Sequence, residues 1–238
     1  MIRVLVVLAF ASWCFAQSQT YRITPVHPVE ELRREALLAN PPAESGDFLP
    51  SDLVELTTLD KTIRLDIRYA STDNFLGSRM YTQARAFLQR PAAEALLRAH
   101  RKLGERGLGL WIFDGYRPWY ITKIFRDATP PDKHTFVADP AKGSKHNRGC
   151  AVDLTVYDRK SGQPIPMPSG YDEFSSRAHP DFTGGTATER ANRDILRRTM
   201  EAEGFTVDAG EWWHYDYKDW RRYRIGNIPF EKIEHSTP

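Results

Sequence analysis

Cysteine is nearly absent: Cys14 and Cys150 are the two in 238 residues, so no disulfide framework can hold this chain together. Cys14 falls in a leader that export would remove, which leaves the mature chain with Cys150 alone and no internal disulfide even in an oxidising compartment. An excess of one charge sign is also missing. Lys and Arg number 33 against 31 Asp and Glu, a formal +2 that is scattered and not striped, which removes the electrostatic case for nucleic acid as a partner. There is no internal repeat and no low-complexity tract. The apolar run Val4 to Ala11 is too short to span a bilayer as a retained helix.

What is present begins with that run. Met1-Ile2-Arg3 is a short basic start, and Cys14-Phe15-Ala16 resembles a small-residue cleavage site, so residues 1–16 read as a signal peptide. The expectation is an exported protein, periplasmic or secreted, with no stable membrane insertion after cleavage; a retained N-terminal anchor is the alternative. Residues 17–52 form an arm with several prolines and one short helix, in which Val29, Leu32, Ala36 and Leu37 share a face and Asn40-Pro41-Pro42 ends the element. Residues 53–238 are long enough for one well-buried domain, and 41% hydrophobic content suits an ordinary core.

Within that domain, Ile63, Leu65, Ile67 and Tyr69 alternate with polar residues and predict a half-buried strand. Pro91 to Leu103 predicts a helix with Pro at an early position and Gly104 past its end. Residues 107–113 predict a buried strand that exits into Asp114-Gly-Tyr-Arg-Pro118, and Trp119 to Ala128 a short helix. Gly149 to Tyr157 predicts a strand with Ala151, Asp153 and Thr155 on one face. Residues 158–187 are irregular, Thr186 and Glu189 offer a capping box, and strands follow at 205–207 and 213–217. The mixture predicts an α+β domain with a small central antiparallel sheet flanked by helices.

Two segments carry the chemistry: Ser144-Lys-His-Asn-Arg-Gly-Cys-Ala-Val-Asp153 and Glu211-Trp-Trp-His214. A catalytic zinc ion takes three protein ligands and keeps one position open, and His146, Asp153 and His214 can supply the three. Taken singly, His146 also reads as an exposed loop histidine and Asp153 as a buried carboxylate paired with an arginine. Glu211, placed just before the strand that holds His214, is then free to act as a base. Trp212, Trp213 and Tyr215 read either as a wall excluding water or as core. Arg117, beside Asp114 on the turn after a buried strand, is the candidate oxyanion donor, with a surface Asp–Arg pair as the alternative. Cys150, between Gly149 and Ala151, reads as a buried small hydrophobe and not a ligand.

Together with Asp66-Ile-Arg-Tyr-Ala-Ser-Thr-Asp-Asn-Phe75, these landmarks resemble the VanX-type D-alanyl-D-alanine dipeptidases, zinc D,D-peptidases of the hedgehog-related fold, over about residues 53–217. The resemblance implies one Zn2+ per chain on His146, Asp153 and His214, Glu211 as general base and Arg117 as transition-state donor. It further implies that Tyr69 and Asp172 meet the substrate's amino end and Ser144 its carboxyl end, the substrate being the dipeptide D-Ala-D-Ala. The leader and arm depart from the cytoplasmic resistance enzymes, which implies turnover of wall-derived dipeptide. A D,D- or L,D-carboxypeptidase acting on stem peptides, or a wall-binding module that keeps the zinc without catalysis, are the alternatives.

Overall fold

The longest strand, β5 (Ala151–Asp158), is apolar enough to be covered on both faces, and it is buried from Ala151 to Tyr157. Around it the chain of a computed structural model, described for residues 20–233, builds a five-stranded sheet. The proposed signal peptide and Cys14 lie outside the described residues. Helix α1 (Val29–Leu38) precedes β1 (Leu53–Glu55), the single turn α2 (Leu56–Leu59), β2 (Arg64–Leu65), β3 (Phe87–Gln89) and α3 (Arg90–Gly104). Then come β4 (Leu108–Asp114), α4 (Trp119–Ala128), β5, α5 (Ala187–Glu201), β6 (Phe205–Val207) and β7 (His214–Tyr217).

The sheet order is β2-β4-β5-β7-β6, with β1 and β3 forming a separate antiparallel pair. The α+β domain expected from the pattern is what the structure shows, with two refinements. Its sheet is antiparallel except at one edge, where β2 runs parallel to β4. The alternation over 62–69 is real in burial, since Ile63, Ile67 and Tyr69 are buried, but only Arg64 and Leu65 pair. Tyr69 sits instead on a 3-10 turn, Arg68–Ala70, which turns its ring out of the sheet direction.

Helix α3 carries Pro91 in its first turn, where a missing N–H costs nothing, and buries Ala92, Ala95, Leu96, Ala99 and Leu103. Helix α5 opens with the capping box: Thr186 accepts from the Glu189 N–H, and the Glu189 side chain accepts from the Thr186 N–H. The arm is part of the packing. Val29, Leu32 and Ala36 are buried as α1 lies against α4, but Leu37, at the edge of the stripe, is 57% exposed to solvent. Among the described residues, no helix is long and apolar enough to cross a membrane.

Two glycines are fixed by geometry. Gly149 ends the turn His146–Arg148 at φ 67°, in the left-handed region, and a Cβ there would come within 2.6 Å of Leu53 Cδ2. At Gly115 a Cβ would lie 2.6 Å from the Phe87 carbonyl, so only glycine lets β4 leave the sheet beside β3.

Candidate active site

Sheet register lines up the functional groups before any loop is considered. Asp153 on β5 pairs across to His214 on β7 and to Asp114 on β4. A bulge between Ile112 and Asp114 shifts the register so that Asp114 stands opposite Asp153. The turn after β4 then supplies Arg117, and the 3-10 turn before β5 supplies His146. Glu211 precedes β7 in a turn closed by the His214 N–H donating to the Glu211 carbonyl at 3.2 Å, which lets both side chains face one cleft.

His146, Asp153 and His214 come together with their ligating atoms facing one another. His146 Nε2 is 3.1 Å from His214 Nδ1, His214 Nδ1 is 3.0 Å from Asp153 Oδ1, and His146 Nε2 is 3.3 Å from the same oxygen. The far side of each ring is committed. His146 Nδ1 lies 2.7 Å from the Gly115 carbonyl and His214 Nε2 2.9 Å from Asp216 Oδ1, acceptors to which each nitrogen must donate. A ring tied in this way, when it carries a single proton, turns its other nitrogen's lone pair toward Asp153.

Two lone pairs and a carboxylate oxygen at such separations repel one another unless positive charge lies among them. Bonds of about 2.0–2.1 Å from a tetrahedral ion put its ligands roughly 3.3 Å apart, so this triangle has the size a divalent metal requires. The same acceptors favour positive charge at this point, as a proton on His214 or as a metal ion in its place. Burial works against charge on His214, yet the hydrogen bonds to Asp153 and Asp216 push the ring well above the ordinary histidine range. Burial likewise raises Asp153, but the two imidazoles hold it well below the usual carboxylate range. Cys150 stays out of the triangle: it is buried, and burial pushes its thiol up to about 12.

Arg117 and Asp114 are not a surface pair. Asp114 is 1% exposed and accepts from Tyr81, from the Gly115 N–H and, at 2.8 Å, from Arg117 Nε. The guanidinium, packed over Phe125 and Tyr69, reaches Asp153 Oδ2 with Nη2 at 3.5 Å and lines the cleft. Burial opposes its charge, but Asp114 more than restores it.

The cleft, about 250 Å³, is also lined by Tyr69, Ser144, Asp172 and Glu211. Ser144 Oγ accepts from the His146 N–H, so this serine shapes the turn that carries His146 as well as facing the cleft. Asp172 is the one non-glycine among the described residues with positive φ, at 57°, and its Oδ2 accepts from the Tyr69 hydroxyl at 2.7 Å. Burial pushes its carboxyl up to about 7, with the Tyr69 hydrogen bond pulling the other way. Burial similarly pushes Glu211 up to about 8, opposed by His214.

Trp212, Trp213 and Tyr215 are not the cleft wall that one reading of the sequence assigned them. They are buried in the core, and Trp212 Nε1 donates to Ser169, fastening the irregular 158–187 segment behind the site. The aromatic lining comes from Tyr69, Phe75, Phe125, Phe136 and Phe174. Sequence reasoning also missed Tyr171, whose hydroxyl donates to Asp153 Oδ2 at 3.0 Å, and Asp216, which holds His214 and is itself held by Lys145 at 2.8 Å. Asp216 was findable, since residues two apart on a strand share a face. Tyr171 lies in a loop without periodicity and left no signal.

With known proteins, residues 50–229 match the family model described as D-ala-D-ala dipeptidase. A D-alanyl-D-alanine dipeptidase of Escherichia coli (strain K12) is 33% identical over 70% of this chain and 84% of its own length. One from Enterococcus faecium is 32% identical over 70% and 93%, and one from Streptomyces coelicolor 34% identical over 74% and 93%.

Proposed function

This chain belongs to the D-alanyl-D-alanine dipeptidase family of metallopeptidases, and from that membership we propose that it hydrolyses the dipeptide D-Ala-D-Ala to two D-alanines. In this reading it is exported, holds zinc on His146, Asp153 and His214, and works on dipeptide released in cell-wall turnover. The mixed His/Asp donor set suits zinc among divalent ions. When bound, the ion supplies a Lewis acid that polarises the scissile carbonyl and acidifies water.

The chain's own residues do the rest. Glu211 takes the proton of the attacking water and delivers it to the leaving amine, its carboxylate form favoured by the ion's charge against the pull of burial. Arg117, oriented by Asp114, donates to the oxyanion of the tetrahedral intermediate. Asp172, steadied by the Tyr69 hydroxyl, pairs with the substrate ammonium, and Ser144 meets the carboxyl end. The aromatic walls exclude water around these charges.

The observation that carries the substrate reading is the Tyr69–Asp172 pair in the same small cleft as the His/Asp triangle. A carboxylate desolvated in this way is matched to a free amino group one residue from the scissile bond, which a dipeptide has and a longer stem peptide lacks. Comparing D-alanine release from D-Ala-D-Ala and from a pentapeptide ending in D-Ala-D-Ala, with metal analysis of the purified protein, tests it. Preference for the dipeptide is expected; preference for the pentapeptide would turn the assignment to a carboxypeptidase.

Asp172→Asn is expected to lower kcat/KM for the dipeptide about 10–100-fold, mainly through KM, as loss of one charge-assisted contact implies. Because the free carboxyl sits near 7, KM of the unmutated protein should rise as pH falls below that value: protonation neutralises the ammonium's partner. A KM flat between pH 6 and 8, from initial-rate kinetics, would remove Asp172 from binding.

A further inference from the structure

The family match begins at residue 50, yet the arm before it packs behind segments that line the cleft. The Ile23 N–H donates to the Phe75 carbonyl at 2.9 Å, and Arg22 donates to the Thr72 carbonyl at 3.0 Å. Thr20 accepts from Arg68, the residue before Tyr69, at 3.0 Å. Residues 20–23 thus lie along the segment that carries the Tyr69 end of the ammonium clamp.

Tyr21 joins that segment to the other end. Its ring lies 5.1 Å from Phe174, two residues past Asp172, and its hydroxyl accepts from Lys133 at 2.8 Å. Phe174 in turn stacks on Phe136 at 4.8 Å with the rings 5° from parallel, and Phe75 meets Phe174 at 5.3 Å. Phe174, Phe136 and Phe75 line the cleft, whereas Tyr21 backs Phe174 from outside it. Asp172 itself lies in the left-handed region at φ 57°, a conformation that aspartate tolerates better than most residues and that sets the direction of its side chain.

We infer that Tyr21 is a positioning residue for substrate binding: the arm braces the 171–174 loop against the 68–75 segment and so holds Asp172 and Tyr69 together as an ammonium clamp. The inference rests on the dipeptide reading for its kinetic consequence, not for its structural one. Loss of one aromatic contact corresponds to roughly 3- to 10-fold in an equilibrium constant, and the loss falls on binding because no atom of Tyr21 meets the reacting bond.

The test compares full-length, zinc-loaded protein with Tyr21→Ala and Tyr21→Phe, using D-Ala-D-Ala kinetics and amide hydrogen exchange. Tyr21→Ala should raise KM about 3- to 10-fold with kcat within about 2-fold, and speed exchange in 171–175, while Tyr21→Phe, which keeps the ring, stays near the parent in both. Tyr21→Leu serves in place of Ala if Ala lowers the unfolding temperature of the whole protein. Unchanged exchange in 171–175, an unchanged KM, or a Phe variant as impaired as Ala would overturn the inference. If the parent protein does not cleave the dipeptide, the substrate reading fails, and the exchange data alone decide whether the arm braces the loop.

Discussion

Glu211→Ala should leave the metal in place and lower turnover of D-Ala-D-Ala by roughly 10²–10⁴-fold, the usual cost of losing a proton-transfer group. The two halves of that expectation come from different distances. Glu211 is not one of the three residues whose ligating atoms form the triangle; its carboxylate is 3.8 Å from His214 Nδ1, close enough to share a water with the site. Removing it takes away no donor to the ion. Burial has already moved its carboxyl toward neutrality, so that it can take a proton in one half of the reaction and return it in the other. Steady-state kinetics together with metal analysis check both halves. Retained activity would take Glu211 out of the mechanism, and lost metal would make it a ligand.

Arg117→Ala should cost about 10²–10³ in kcat, as removal of an oxyanion donor does, and should destabilise the fold as well. The second effect follows from Asp114, which is 1% exposed, already pushed toward neutrality by burial, and left in the core without its cationic partner. Breaking one side of such a pair costs about 3–5 kcal/mol. Arg117→Lys separates the two effects. An ammonium restores charge beside Asp114 but lacks the fork that lets Nε hold Asp114 while Nη2 faces the cleft. The lysine variant should therefore regain most of the unfolding temperature and little of the kcat. A lysine variant with parental kcat would limit Arg117 to a structural role.

Legibility in the sequence followed locality. Helix boundaries at 119–128, the capping box at Thr186 and the strand that becomes β5 depend on residues within a few positions of one another, and the chain spells them out. The meeting of His146, Asp153 and His214 was legible only from the motifs taken together and their family resemblance; its physical basis, two residues on neighbouring strands and the third on the turn leading into one of them, came with the structure. The cleft wall was not legible. Phe136 and Phe174 in the wall, and Tyr21 behind it, come from three segments outside the main helices and strands, and no period connects residues that meet only because loops fold over one another. The aromatic run 212–215 misled in the opposite sense, since its apolar character serves the core and not the cleft.

The row formed by Asp114, Asp153 and His214 across three adjacent strands has a consequence for how such an enzyme can change. Each member is held by ladder hydrogen bonds on both sides or at a strand end, so moving one means re-pairing the sheet. Phe136, Tyr171, Asp172 and Phe174 have no such bonds to break. Substitutions, insertions and deletions can accumulate in those segments while the hydrolytic row stays in register. In the proposed reading, chemistry and substrate choice fall on parts of the chain that can vary largely independently, and a library confined to residues 131–137 and 172–175, sparing Tyr171 because its hydroxyl holds Asp153, would explore new peptide preferences with the hydrolytic row left in register.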